Sequence, residues 1–253
     1  MTDVLVTGAA IWVIAAVSAY AQSVSGFGFA MLGIPLMIPV LGAPSSVVVA
    51  TVLGLLLTIG STVAERAHVQ WRPVLALSGA AVLGIPIGLA VLVLLDPRWL
   101  TLFIGVVVIA ATVLLARRTE WHLAGTGSIA GAGLVSGTLL SSTGMNGPPV
   151  VAIFQSRGIP PREFRASLQA AFAIQDLLAI VGFVIVARLD LTTAALAVSA
   201  IPALWAGWWA GDRTFRRLHQ SAFRWVVLGM LLLSGILAIV QAIVQIAGGA
   251  GVA

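Results

Sequence analysis

Residues 25–29 read Ser25-Gly26-Phe27-Gly28-Phe29, and the apolar run that follows ends at Leu41. A helix over 28–41 rises about 1.5 Å per residue and reaches about 21 Å. That is short of the roughly 20 apolar residues that cross a bilayer. A second turn, Thr143-Gly144-Met145-Asn146-Gly147-Pro148-Pro149, opens the run 147–155, which reaches only about 14 Å. Neither piece crosses alone, so each is expected to be a half-helix or a re-entrant element. Each follows a long apolar run. The fold turns on these two interruptions.

Outward from the turns, the chain is almost entirely apolar. Hydrophobic residues are 60% and charged residues 8% of the 253, and the mean hydropathy is +1.12. Soluble domains carry about 25% charge, so lipid rather than water solvates most of this surface. Candidate full spans are 4–23, 45–64, 73–95, 99–116, 126–141, 164–187, 191–210 and 222–246. The expected fold is an all-α integral membrane bundle of about eight full spans and two short helices. It forms a single membrane domain over residues 1–253. Met1-Thr2-Asp3 lacks the positive region of a secretory signal, so the first apolar run is read as a retained membrane helix, and residues 248–253 as a frayed tail. With no cysteine, disulfides, thiolate metal sites and cysteine nucleophiles are excluded.

The interruptions recur with a register. Gly26 and Gly144 are 118 positions apart; Pro86 and Pro202, each in an Ile-Pro step, are 116 apart. Pro44 with Ala50-Thr51 answers Pro160 with Ala166-Ser167. This near-constant offset predicts an internal duplication, with repeats over 4–117 and 125–246.

The cations fix the expected topology. All thirteen are arginine, and the formal charge is +5. If each repeat crosses an odd number of times, one side of the membrane receives eleven: Arg66, Arg72, Arg117, Arg118, Arg157, Arg162, Arg165, Arg213, Arg216, Arg217 and Arg224. Arg98 and Arg188 remain for the other. Short-loop arginine marks the cytoplasmic face. The repeats are then inverted, both termini non-cytoplasmic, in the cytoplasmic (inner) membrane. Two models satisfy this parity: the short elements complete a crossing, or each forms a hairpin with its preceding helix. The arginines are short clusters between spans, so the basic balance reflects membrane-flanking loops and not nucleic acid.

Inverted repeats with paired broken helices point to a transport site at their junction. A helix that starts inside the membrane exposes unpaired N–H groups and a positive dipole end, and an anion satisfies both. Candidate binding residues are therefore Gln22, Ser25, Gly26, Phe27 and Gly28 at the first turn, and Thr143, Gly144, Met145, Asn146 and Gly147 at the second. Glycine in such turns also serves close helix packing; it is the matched placement of two that favours a site. Asp176 is the one acidic residue well inside a span, and such carboxylates tend to be functional. It is a candidate for taking up and releasing a coupling proton or for ordering the binding turn, with Gln169 and Gln175 beside it. Gln169 lies two turns before Asp176 on the same face. Arg165 opens a span and is a candidate gate or anion funnel. Trp205, Trp208 and Trp209 form a stripe that fits packing better than a substrate wall. His68, His122 and His219 lie in separate loops, so no metal site is expected. No Walker loop, dinucleotide fingerprint or nucleophile–base pattern is present, so an enzyme is not expected, no cofactor is implied, and ATP is not an in-chain energy source.

The duplicated unit with its two glycine turns, together with Pro35 and the Pro44…Ala50-Thr51 stretch, resembles the sulfite exporter TauE/SafE family, also called the 4-toluene sulfonate uptake permease family. The resemblance runs over about residues 8–245. It implies an ATP-independent secondary transporter of sulfur-containing anions such as sulfite or organosulfonates. Asn146, between Met145 and Gly147, departs from the usual glycine-rich pattern. The expected partners are a small sulfur oxyanion or organosulfonate, the lipid bilayer and a coupling proton, with no nucleic acid and with an oligomer permitted. A passive anion channel would use the same site chemistry and is the alternative.

Overall fold

The computed structural model describes residues 2–25, 27–116, 125–215 and 220–249, and every regular element there is helical. The helices are α1 (Thr2–Ser25), α2 (Phe29–Leu41), α3 (Ala43–Ala64), α4 (Trp71–Leu94), α5 (Pro97–Ala116), α6 (Thr126–Thr143), α7 (Gly147–Ser156), α8 (Pro161–Ile185), α9 (Leu191–Ser199), α10 (Ile201–Phe215) and α11 (Gln220–Gly249). A 3₁₀ turn, Arg66–His68, joins α3 to α4. The loop holding Arg117, Arg118 and His122, and Arg216, Arg217 and His219, lie outside the described residues.

Among the described residues six segments are long and apolar enough to cross a bilayer: Val6–Ser23, Ala43–Ala64, Trp71–Leu94, Pro97–Leu114, Pro161–Ile185 and Leu191–Thr214. Large apolar side chains cover the outside, with Leu94 82% and Ile185 77% exposed. Such a surface needs lipid around it, and the chain is a multi-pass membrane protein.

Of the eight expected full spans, 191–210 falls within Leu191–Thr214, whereas 126–141 and 222–246 have no counterpart among these six; 222–246 lies in α11, of which Leu232–Ala247 is the shorter apolar stretch. The segment 126–141 becomes α6, which is not among the six. Its last turns are rich in hydroxyls that bond to backbone carbonyls: Ser142 to Thr138 O at 2.6 Å and Thr143 to Leu139 O at 2.7 Å. These residues are buried against protein rather than lipid. The segment 191–210 is broken at Ala200, whose N–H bonds back to Leu196 and Ala197. Pro202 has no N–H to continue the ladder from Val198, which accounts for the break.

The short helices fold back on their predecessors. In the first pair Gly33 lies against the Ser18 hydroxyl, and Gln22 Oε1 accepts from Phe29 N at 3.2 Å. Pairs 18/33 and 22/29 make α1–α2 an antiparallel helical hairpin. In the second, Ser136 Oγ donates to Asn146 O at 3.2 Å, and α7 packs back along α6. Val150, Val151, Ile153 and Phe154 of α7 are fully or nearly fully buried in a cluster with Leu77, Leu168 and Phe172.

The remaining helices pair across the two halves. α1 packs on α10, α4 on α6, α3 on α8 and α5 on α11. Running order gives their direction. Gly207 meets Ala16 and Gly211 meets Tyr20, so α1 and α10 are parallel. Gly133 meets Leu77 and Gly137 meets Ala81, so α4 and α6 are parallel too. By contrast Gly54 lies near Asp176 while Glu65 pairs with Arg162 at 2.9 Å, so α3 and α8 are antiparallel. Gly105 against Ile239 and Gly235 against Ile109 make α5 and α11 antiparallel.

The α4–α6 contact is built on small residues. A Cβ at Gly84, Gly88, Gly133 or Gly137 would overlap backbone carbonyls of the facing helix. That close approach lets Ser141 Oγ reach Ile85 O at 2.8 Å and Thr138 Oγ1 reach Gly84 O at 3.2 Å. In lipid, where apolar burial between helices gains little, such packing and hydroxyl bonding hold helices together.

A candidate binding cavity between the two glycine turns

At the first turn Gly28 has φ 107° and caps α2 without a side-chain bond. An L-residue pays about 1–2 kcal/mol for a left-handed conformation, so glycine suits the position. The first intrahelical-type bond of α2 is Leu32 N to Gly28 O at 3.1 Å. Gln22 takes the N–H of Phe29. The N–H groups of Ala30 and Met31 have no acceptor among the described residues.

At the second turn α6 ends at Gly144, φ 71°, whose N–H bonds to Leu140 O at 2.7 Å. Asn146 precedes α7, and Pro148 and Pro149 fill its first turn, where a missing N–H costs nothing. The N–H of Gly147 has no acceptor among the described residues. Gln175 Oε1 holds the turn from α8, accepting from Ser136 Oγ at 2.7 Å and from Asn146 Nδ2 at 3.3 Å. Its Nε2 is buried without a partner.

The two turns meet. A Cβ on Gly144 would collide with Ile34 Cδ1 of α2, and one on Gly147 would sit 3.9 Å from the Phe27 ring. Between them lies a cavity of about 40 Å³. Of the residues singled out in the sequence, Gln22, Phe27, Gly28, Gly144, Met145, Asn146, Gly147 and Asp176 stand on its wall. The side chain of Ser25 and the whole of Gly26 lie outside the described residues.

Four candidates stand off the wall. Thr143 is buried with its hydroxyl on Leu139 O. Gln175 lies behind Asn146. Gln169 is buried on α8 away from the cavity. Arg165 Nη2 donates to Ser23 O at 3.2 Å, tying α8 to the end of α1 beside the first turn. Trp205 and Trp208 make an edge contact at 5.8 Å between centroids, and Trp209 carries the Arg213 guanidinium at 3.6 Å; none lines the cavity.

Sequence reasoning passed over the third wall. Ala50, Thr51, Gly54 and Thr58 of α3, with Phe172 of α8, complete the described wall. Thr51 and Thr58 bond back to Val47 O and Gly54 O, at 2.8 and 3.0 Å. A small, hydroxylated stripe at helical spacing was the available signal. Its meaning depends on the α3–α8 crossing, which places Gly54 against Asp176: a Cβ there would lie 3.4 Å from Asp176 Oδ2.

Asp176 is 6% exposed, and its carboxyl has no hydrogen-bond partner among the described residues. Among the described residues it is also the only ionisable side chain on the wall. No arginine is among the described wall residues; the positive ends there are helix starts.

A membrane-embedded helical bundle with two broken hairpins enclosing a cavity is the architecture of a transport protein. A family model described as sulfite exporter TauE/SafE matches residues 11–238, and the chain belongs to that family. It is 25% identical over 221 residues to a probable sulfite/organosulfonate exporter TauE of Cupriavidus necator, an alignment covering 84% of this chain and 86% of that relative. No solved structure matches the chain.

Proposed function

We propose that the chain is a secondary, ATP-independent carrier of a small sulfur-containing anion, sulfite or an organosulfonate, across the cytoplasmic membrane. The observation that carries this reading is the meeting of two helix starts, with free N–H groups, around a partly open cavity that has no cationic side chain among its described lining residues. The name of the Cupriavidus relative supports the choice of anion.

The halves act as inverted repeats within one membrane domain, α1–α5 and α6–α11. Equivalent helices α3 and α8 run antiparallel, as do α5 and α11, while α1/α10 and α4/α6 repeat the same parallel contact. A two-fold axis in the membrane plane relates helices in this way. The short helices are then re-entrant from opposite faces. Thirteen residues of α2 and ten of α7 rise about 20 and 15 Å. Together these lengths approximate the roughly 30 Å hydrocarbon core, so their tips meet near its middle. The arginine-rich loops face the cytoplasm and both termini face away from it. Alternating access comes from one half rocking on the other, and Asp176 carries the coupling proton.

Proteoliposomes loaded with radiolabelled sulfite test this. The expected result is saturable flux with counterflow, driven by a proton gradient without ATP, with the Asp176→Asn variant folded but uncoupled from the gradient. Non-saturating flux without counterflow would support a passive channel, and gradient-driven flux unchanged in Asp176→Asn would remove the coupling role.

A further inference from the structure

Resting on the reading of the cavity as the anion site, we propose that it takes a compact, singly charged oxyanion together with one proton. The proton lies between Asp176 and an oxygen of the guest, so Asp176 is a direct contact and sets the charge of what binds.

Size is the first argument. The cavity offers about 40 Å³, and a single water needs roughly 10–15 Å³ by the same measure. Three or four water-sized atoms therefore fit, the bulk of one central atom with three oxygens. The ring of an aromatic sulfonate exceeds this volume.

Charge balance is the second. Each helix start is equivalent to about half a positive charge, so α2 and α7 together supply about one. The donors are neutral amides, those of Ala30, Met31 and Gly147. Among the described residues no other charged group lines the cavity. Helices α2, α3, α6 and α7 contain no ionisable residue anywhere along their lengths. On α4 the charge is Arg72, in its first turn. On the 3₁₀ turn and its flanks, Glu65 and His68 pair with each other and Glu65 pairs with Arg162. On α8 itself Arg162, Glu163 and Arg165 sit at the start; Arg165 is about 16 Å from Asp176 along the axis and is bonded to Ser23 O. Tyr20 of α1 packs toward Gly211 of α10. One unit of positive potential balances one monoanion. It does not balance a monoanion beside an ionised Asp176, nor a dianion. A proton on Asp176 removes the excess charge and gives the carboxyl an O–H to donate to the guest.

The test is equilibrium binding to the purified full chain in lipid nanodiscs. Methanesulfonate is the probe, because it keeps one charge while sulfite itself titrates. Between about pH 6 and about pH 9, wild-type affinity is expected to fall by up to about tenfold per pH unit. Asp176→Asn keeps a donor and loses the titration, so its affinity is expected to change less than about twofold over the same range. At the alkaline end the variant binds more tightly than the wild type, a gain that misfolding does not mimic. Sulfate and 4-toluenesulfonate are expected to bind at least about tenfold more weakly than methanesulfonate. Wild-type affinity independent of pH, a slope retained in Asp176→Asn, or sulfate bound as tightly as methanesulfonate would each overturn the joint binding of anion and proton. No binding of any anion at any pH to either protein would overturn the anion site itself.

Discussion

Gly144 does two things at once. Its φ of 71° turns the chain from α6 toward α7, and its missing Cβ admits Ile34 of the other hairpin. Gly144→Ala pays the left-handed penalty of about 1–2 kcal/mol and overpacks the contact for about 1–3 kcal/mol more. A loss of about 2 kcal/mol or more is therefore expected, measured as a lowered thermal midpoint in detergent, and with it weaker anion binding. These residues were legible in the sequence because they interrupt an apolar pattern: a glycine pair before a run too short to cross, and one carboxylate inside a span. Gln175 was legible only as a polar neighbour of Asp176. That it faces Asn146 and Ser136, and not the cavity, depends on the angle at which α8 crosses α6. Thr51 was legible only as part of a repeated stretch and Thr58 only as one of a hydroxylated stripe, since threonines that bond to their own helix read as ordinary membrane-helix residues.

Between elements, the α4–α6 contact positions the second turn. Small residues bring the two backbones together over Gly84, Gly88, Gly133 and Gly137, and α6 then delivers Gly144 to the cavity. Gly137→Val would drive a branched side chain into the Ala81 carbonyl. The expected loss is about 1–3 kcal/mol in a detergent melt, with reduced flux in proteoliposomes because α7 moves with α6. A melt and flux equal to wild type would mean that this crossing does not set the turn. The order of helices was readable from apolar run lengths, but their pairing was not. Hydropathy marks what faces away from water and is blind to whether lipid or another helix covers it. Pro202 was read as a repeat partner of Pro86; it also ends a helix, whereas α4 continues through Pro86.

For the whole molecule the account depends on orientation. The chain has no cysteine, so single cysteines report sidedness against a silent background. Ala67→Cys, on the arginine-rich 3₁₀ turn, is expected to react with a membrane-impermeant maleimide only from the cytoplasmic face. Thr192→Cys, at the start of α9, is expected to react only from the opposite face. Labelling of both from one face would place α3 and α8 in the same direction, against their antiparallel contact, and would end the inverted-repeat reading. The arginine distribution predicts this arrangement through a parity argument. That α1 and α2 form a hairpin rests on the contacts of Ser18 with Gly33 and of Gln22 with Phe29, which apolar run lengths do not reveal.

The most direct measurement is an anomalous-scattering map of crystals soaked in selenite, a heavier analogue of sulfite. The expected result is one strong selenium peak enclosed between the α2 start at Ala30 and Met31 and the α7 start at Gly147, within reach of Asp176. A peak confined to the arginine-rich loops, with the space between the glycine turns empty, would contradict the account.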